Sequence, residues 1–346
     1  MKGGIIAGVL AAAAASGAVI ADRRVRTVRR TGVASLDAFT PPVPDRAGFV
    51  RAIDGVQLYY EQDGPPDAAL TVVLIHGFCQ NRDDLLFQRR ALLEQFGERV
   101  RIVSIDLRSH GKSHRSDPGH ATIDQLGTDL YTVLEELAPD GRVVLIGHSM
   151  GGMTILSLAD AHPELLPDRV AGVVLIGTST GKVAALSLGI PAGLAKLSDP
   201  VVGFALRGAR SRVAFVERGR ARVTDLAWTF VQRLAFGSEV DPALVEFITR
   251  MIGATPIDVI AEFYPALMSH EKESALKRLS DTPVVIVCGE NDLITPVEHS
   301  EVMAAVLPHA ELVVIPDAGH QAHMERPELA NAPLLRLVRQ ALKARR

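Results

Sequence analysis

The sequence predicts an α/β fold: a mostly parallel central sheet flanked by helices, with a helical cap inserted late in the chain. Three observations carry this. Short apolar runs recur at Leu70–Ile75, Arg101–Ile105, Arg142–Ile146, Val170–Ile176, Pro283–Val287 and Glu311–Ile315, as expected of strands buried on both faces. Helical stretches lie between most of them, at Asp83–Phe96, Ile123–Leu137, Met150–Ala161 and Val297–Val306. Such alternation implies parallel strands joined by right-handed crossovers. The alternation then lapses between Thr178 and about His270. There Leu226, Phe230, Val231 and Leu234, and then Leu244, Phe247, Ile248, Met251 and Ile252, recur at helical spacing.

Composition narrows the function classes. The 346 residues carry a formal net charge of −3 and are 47% hydrophobic. The first value gives no field to collect nucleic acid, and the second is too high for a disordered chain. Two cysteines, Cys79 and Cys288, cannot build a disulfide framework. No CxxC, HExxH or clustered Cys/His pattern occurs, so no metal or other cofactor is expected.

The elements follow in chain order. Residues 1–30 read as a hydrophobic segment with an arginine-rich flank. Gly3 to Ala21 is an uncharged run of 19 residues, about 28 Å long as a helix and close to the thickness of a bilayer core. Arg23, Arg24, Arg26, Arg29 and Arg30 follow it and oppose translocation of that flank. The expectation is a membrane anchor with the following domain in the cytoplasm. The alternative is a cleaved signal, with Ala18 or Ala21 near the cut and a secreted or cell-envelope product. Residues 31–48, with Pro41, Pro42 and Pro44, read as an extended linker. Asp54-Gly55, between Phe49–Ile53 and Val56–Tyr60, signals a type I′ hairpin that supplies antiparallel edge strands. The core is then expected over 49–177 and 271–346, and the cap over 178–270. Leu334–Leu342 reads as a closing amphipathic helix.

Gly147-His148-Ser149-Met150-Gly151-Gly152 sits between a buried strand and a helix. A strand that turns sharply into a helix at a serine needs small neighbours, because the serine backbone is strained and other chain passes close. The turn would leave the Ser149 hydroxyl exposed at the top of the sheet, with helix N-terminal amides aimed at any charge that forms there.

With these residues the chain resembles the α/β-hydrolase superfamily over about residues 49 to 340. His76-Gly77-Phe78 follows a strand where that superfamily keeps its oxyanion loop. Asp106 to Ser113 resembles the D-x-R-G-x-G-x-S turn, with Ser109 in place of the usual first glycine. Gly289-Glu290-Asn291-Asp292 and Gly319-His320 follow later strands, with Glu325 and Pro327 trailing. The order Ser149, Asp292, His320 is the superfamily's order of nucleophile, acid and base.

The resemblance implies roles. A serine hydroxyl needs a base within hydrogen-bond reach. His320 would take its proton and return it to the leaving group, and Asp292 would hold the imidazole. The amides of Phe78 and Met150 would bind the oxyanion. His76, Gly77, Gly147, His148 and Gly151 are expected to support the elbow and the oxyanion loop. Competing readings make Asp292 an N-cap for the helix after Pro296, and place His323 as rival to His320. His110 reads as a turn residue and Cys79 as packing.

The implied activity is a serine hydrolase of carboxylic esters working through an acyl-enzyme. Apolar cap residues such as Ile190, Leu194, Val201, Val202, Phe204, Trp228 and Phe230 favour a lipid or acyl ester. Arginines 207, 210, 212, 218, 220 and 222 read either as a solvated face or as a contact for an anionic group. The same three residues would serve a C–C bond hydrolase or a perhydrolase, and a non-catalytic ligand-binding protein is the remaining alternative. The nucleophile being Ser149 argues against the aspartate chemistry of epoxide hydrolases and haloalkane dehalogenases.

Overall fold

The structure, a computed structural model, describes residues 36–181 and 224–344. The 3–21 run, its arginine flank, the first linker residues and the arginine-bearing part of the cap lie outside the described residues. No described helix is long and apolar enough to cross a membrane.

Eight strands form one sheet: β1 (Arg46–Arg51), β2 (Gln57–Asp63), β3 (Leu70–Ile75), β4 (Arg101–Ile105), β5 (Arg142–His148), β6 (Val170–Ile176), β7 (Val284–Gly289) and β8 (Glu311–Ile315). Their spatial order is β1-β2-β4-β3-β5-β6-β7-β8. β1 and β2 are antiparallel and every pair from β4 to β8 is parallel. The helices of the core are α1 (Leu86–Phe96), α2 (Ile123–Leu137) and α3 (Met150–Ala161). Between β6 and β7 stand α4 (Thr224–Ala235), α5 (Pro242–Ala254), α6 (Ile257–Met268) and the short α7 (Glu273–Leu276). α8 (Val297–Val306), α9 (Ala322–Glu325) and α10 (Pro327–Lys343) complete the described chain.

The period of two along each strand sorts side chains onto two faces. Val73, Ile75, Leu145 and Val173 join α2 and α3 in one apolar layer. Val72, Leu74, Val144 and Val174 join α1 and α10 in the other. Each fully buried Val, Leu or Ile contributes about 1.5–3 kcal/mol, so the continuous runs in the sequence are what a sheet covered on both faces requires.

Four local readings are corrected. The β1–β2 connection is a three-residue loop rather than a two-residue type I′ turn. Gly55 N–H donates to Ala52 O, Ala52 N–H donates to Val56 O, and only Gly55 takes a positive φ, of 89°. This is a turn followed by a glycine bulge. The linker is not extended throughout: Leu36–Phe39 is a 3-10 turn, because the Phe39 ring is buried against Phe247, with centroids 5.3 Å apart. The helix expected from Asp83 opens with a 3-10 turn over Arg82–Leu85, capped by the Asn81 side chain. α10 also begins at Pro327, well before Leu334, since proline suits a first helical turn.

Candidate active site

The strand order brings the carboxyl ends of β3, β5, β7 and β8 to one rim, and each chemical group is delivered from a different end. Ser149 sits between β5 and α3 with φ 50°, a left-handed conformation unusual for a residue with a Cβ. The glycines around it are required by space. A Cβ at Gly147 would lie 2.5 Å from the Gly151 carbonyl, and one at Gly151 would lie 2.2 Å from the Ile75 carbonyl oxygen. The serine backbone is fixed on both sides: Ser149 N–H donates to Ile176 O at 2.8 Å, and the Thr178 hydroxyl donates to Ser149 O at 2.7 Å.

Asp292 and His320 come from the loops after β7 and β8. The His320 Nδ1–H donates to Asp292 Oδ2 at 2.8 Å, with both side chains buried. Asp292 Oδ1 accepts the amides of Ile294 and Thr295, and Oδ2 also accepts the Thr295 hydroxyl at 2.8 Å. Burial favours the neutral acid, but the facing imidazole and these donors outweigh it and hold the Asp292 carboxyl below its usual range. The helix after Pro296 begins at Val297, and Asp292 turns its oxygens toward residues 294, 295 and 320 rather than capping that helix. His323, the rival imidazole, is wholly buried and turned toward Asp84. With Nδ1 of His320 occupied by Asp292, Nε2 is the nitrogen that can take a proton.

His76 holds the loop after β3. Its Nδ1–H donates to Gly77 O at 2.7 Å, and its Nε2 accepts the Leu107 amide at 2.9 Å. Burial pushes the ring's pKa down, which keeps it neutral and suits one donor and one acceptor. No described residue accepts the amide hydrogen of Phe78 or Met150. His110 is a buried turn residue whose Nδ1–H donates to Arg108 O. Ser109, where a glycine was the usual residue, takes φ 64° and receives the Ser116 amide on its hydroxyl.

Ser149 and His320 line one cavity of about 280 Å³. Phe78, Cys79, Met153 and Ile294 line it from the core, and Val231, Leu234, Ile252, Tyr264 and Leu267 from α4, α5 and α6. No Lys, Arg, Asp or Glu is among its described lining residues. Trp228, one of the apolar residues between β6 and β7, is buried in the cluster of α4 and α5 and does not line the cavity, while Phe230 is half exposed at its edge. Sequence reasoning missed Thr295, Gln80 and Asp84. Thr295 follows Asp292 at a spacing where a hydroxyl can turn back on a carboxylate. Asp84 shows in the sequence only as an acid opening a helix.

A family model described as alpha/beta hydrolase fold matches residues 71–327, and the chain belongs to that family. The chain is 28% identical over 276 residues to the dihydrolipoyllysine-residue acetyltransferase component of an acetoin cleaving system from Pseudomonas putida. That match covers 78% of this chain but only 63% of the relative's length. It is 27% identical over 296 residues to a bifunctional esterase/perhydrolase from Acinetobacter calcoaceticus, covering 84% of this chain and 99% of the relative. Among solved structures it resembles a thermophilic esterase from Thermogutta terrifontis with a TM-score of 0.66 and 27% identity, covering 86% of this chain and 99% of that one. The α/β-hydrolase fold is therefore the class to which the chain belongs.

Proposed function

We propose that the chain is a serine hydrolase of carboxylic esters, acting on apolar acyl groups through an acyl-enzyme. The observation that carries the reading is the buried 2.8 Å contact between His320 and Asp292, with His320 and Ser149 on the wall of one apolar cavity. Ser149 Oγ attacks the ester carbonyl carbon while His320 Nε2 takes its proton. The oxyanion lies between the amides of Phe78 and Met150. Each such donor is worth about 3–4 kcal/mol in the barrier. The intermediate collapses, His320 protonates the departing alkoxide, and water then repeats the sequence on the acyl-enzyme. Asp292 keeps the ring in the tautomer with its proton on Nδ1 and balances the imidazolium. Gly77, Gly147, His76, His148 and Gly151 act as supports. Residues 178–270 serve as the cap that walls the acyl pocket.

A cavity lined by apolar side chains, without a described charged group, favours an uncharged aliphatic acyl chain. A perhydrolase reading has one support, the named activity of the Acinetobacter relative. The test is fluorophosphonate labelling together with hydrolysis of p-nitrophenyl esters of increasing chain length. Labelling and turnover that vanish in Ser149→Ala support the reading; a variant that still labels or turns over near the parent rate overturns it. Peroxide-dependent perhydrolysis in place of ester turnover would move the assignment to the second reading.

The membrane anchor at residues 3–21, with a cytoplasmic catalytic domain, is proposed from the sequence alone. Fractionation with protease protection tests it: a domain cleaved from outside intact cells overturns the cytoplasmic placement.

A further inference from the structure

Beneath the site lies a cluster that takes no chemical step in the proposed reaction. Asp84, His148 and His323 are all buried at zero exposure. Asp84 comes from the 3-10 turn before α1, His148 from the last position of β5 and His323 from α9. Asp84 Oδ2 accepts Nδ1–H of His148 at 2.8 Å and the Gly77 amide at 3.0 Å. Its Oδ1 accepts Nε2–H of His323 at 3.1 Å. On its far side, His148 Nε2 lies 3.2 Å from the carbonyl oxygen of His320. A single carboxylate therefore reaches the loop bearing Phe78, the residue before Ser149 and the segment bearing His320.

We propose that Asp84 is a positioning residue, fixing the oxyanion loop, the nucleophile elbow and the base loop in one register through Gly77, His148 and His323. The proposal rests on the serine hydrolase reading above. Its logic is geometric. Two of the arms end on backbone atoms beside the chemistry: the Gly77 amide precedes Phe78, and the carbonyl that His148 approaches belongs to His320 itself. Misplacing a reacting group by about 1 Å can lower a rate about 100-fold. His148 faces oxygen atoms at both ring nitrogens, since Gln80 Oε1 also lies 3.2 Å from Nδ1. A ring with its proton on Nδ1 gives that proton to the Asp84 carboxylate. Burial outweighs the pull of Asp84 and lowers His148 to about 4, so the ring is neutral at neutral pH. For Asp84, burial favours the neutral acid, but the two imidazoles outweigh it and hold the carboxyl well below its usual range.

The three groups are close enough to hold a metal ion, their donor atoms lying within 4.8 Å of one another. Each of those donor atoms is already spent in a hydrogen bond inside the cluster. A hydrogen-bonded hub accounts for the arrangement without an ion.

The test uses the full chain, with the active fraction counted by fluorophosphonate titration so that misfolded protein does not enter the rate. Asp84→Asn puts an amide donor where three donors converge. Its kcat per titrated site on a p-nitrophenyl ester should fall about 10- to 100-fold, with KM within about twofold. His148→Gln should fall comparably, and the double variant should be no worse than the worse single one, the mark of residues acting as one unit. Should Asp84→Asn not fold, His148→Gln and His323→Gln carry the same comparison, since both leave the bond from Gly77 to Asp84 in place. Per-site kcat within twofold of the parent, or losses that multiply in the double variant, would overturn the proposal. So would stoichiometric zinc in the parent that survives chelator dialysis and is lost in His323→Gln. A parent that takes no fluorophosphonate overturns the Ser149 reading and this proposal with it. A labelled parent beside an unimpaired Asp84→Asn overturns the role of Asp84 alone.

Discussion

The Thr295 hydroxyl donates to the same Asp292 oxygen that receives the Nδ1 proton of His320, at 2.8 Å in both cases. It lies 3.3 Å from that nitrogen as well, so three polar atoms meet at one corner. The hydroxyl fixes which carboxylate oxygen faces the ring. A buried hydrogen bond of this kind is worth about 1–1.5 kcal/mol. Thr295→Val should therefore lower kcat about tenfold while Thr295→Ser retains most activity. Steady-state kinetics of the pair would show it, and equal rates would discard the orienting role.

The oxyanion loop offers a second test. A Cβ at Gly77 would lie 2.4 Å from Gln80 Oε1 and 2.9 Å from His148 Nδ1. The loop must shift to admit it, and the Phe78 amide moves with it. Gly77→Ala should lower kcat about 100- to 1,000-fold, the range for losing one oxyanion donor. Slow fluorophosphonate labelling at near-parental thermal stability would be the accompanying sign.

Acid should destabilise the fold through buried histidines. Burial lowers His110 to about 3 and His270 to about 4, from an ordinary value of 6.5. Both are neutral in the fold at neutral pH. Below pH 6.5 the unfolded chain takes up their protons and the folded chain does not, so stability is full above that value and falls as pH drops toward 4. Each such histidine removes about 1.4 kcal/mol per pH unit in that window. Urea unfolding of parent and His110→Phe at pH 7 and pH 5 should show the variant losing about 1–2 kcal/mol less. Identical losses would contradict the assignment.

Glu325 joins the α4–α5 connection to the loop bearing His320. Its buried carboxylate accepts the amides of Gly237, Ser238 and Gly319 and the Ser238 hydroxyl. Glu325→Ala leaves these donors unpaired beside His320. It should lower stability by about 3–5 kcal/mol, read as a fall in Tm, and Glu325→Gln should lose less.

The cavity wall should set chain length. Leu234 and Ile252 line the pocket from α4 and α5. Leu234→Trp fills part of about 280 Å³ and should move the preferred p-nitrophenyl ester toward shorter chains, mainly through KM. An unchanged preference would place the acyl group elsewhere.

Much of this was legible in the sequence, for identifiable reasons. The strands from β3 to β7 are buried on both faces, and edge strand β8, where only Ile315 is buried, still keeps an apolar run, so the runs mark where these strands lie. Ser149, Asp292 and His320 each stand at the exit of one of those strands, so locating the strands located the residues. Thr295 and Asp84 were not legible, because their meaning lies in partners distant in sequence: Asp84 meets His323 across 239 positions. The Gly55 bulge and the Phe39 contact were missed because a local signal cannot say which neighbour a tertiary contact will supply.

The sheet order has a temporal consequence. Ser149 stands on a central strand, while His320 arrives on the loop after edge strand β8, the last strand to be synthesised. On the proposed reading, a nascent chain would carry Ser149 for a long stretch of translation before His320 is made. Catalysis, on that reading, waits until the segment after β8 docks, and any product truncated before β8 would lack His320.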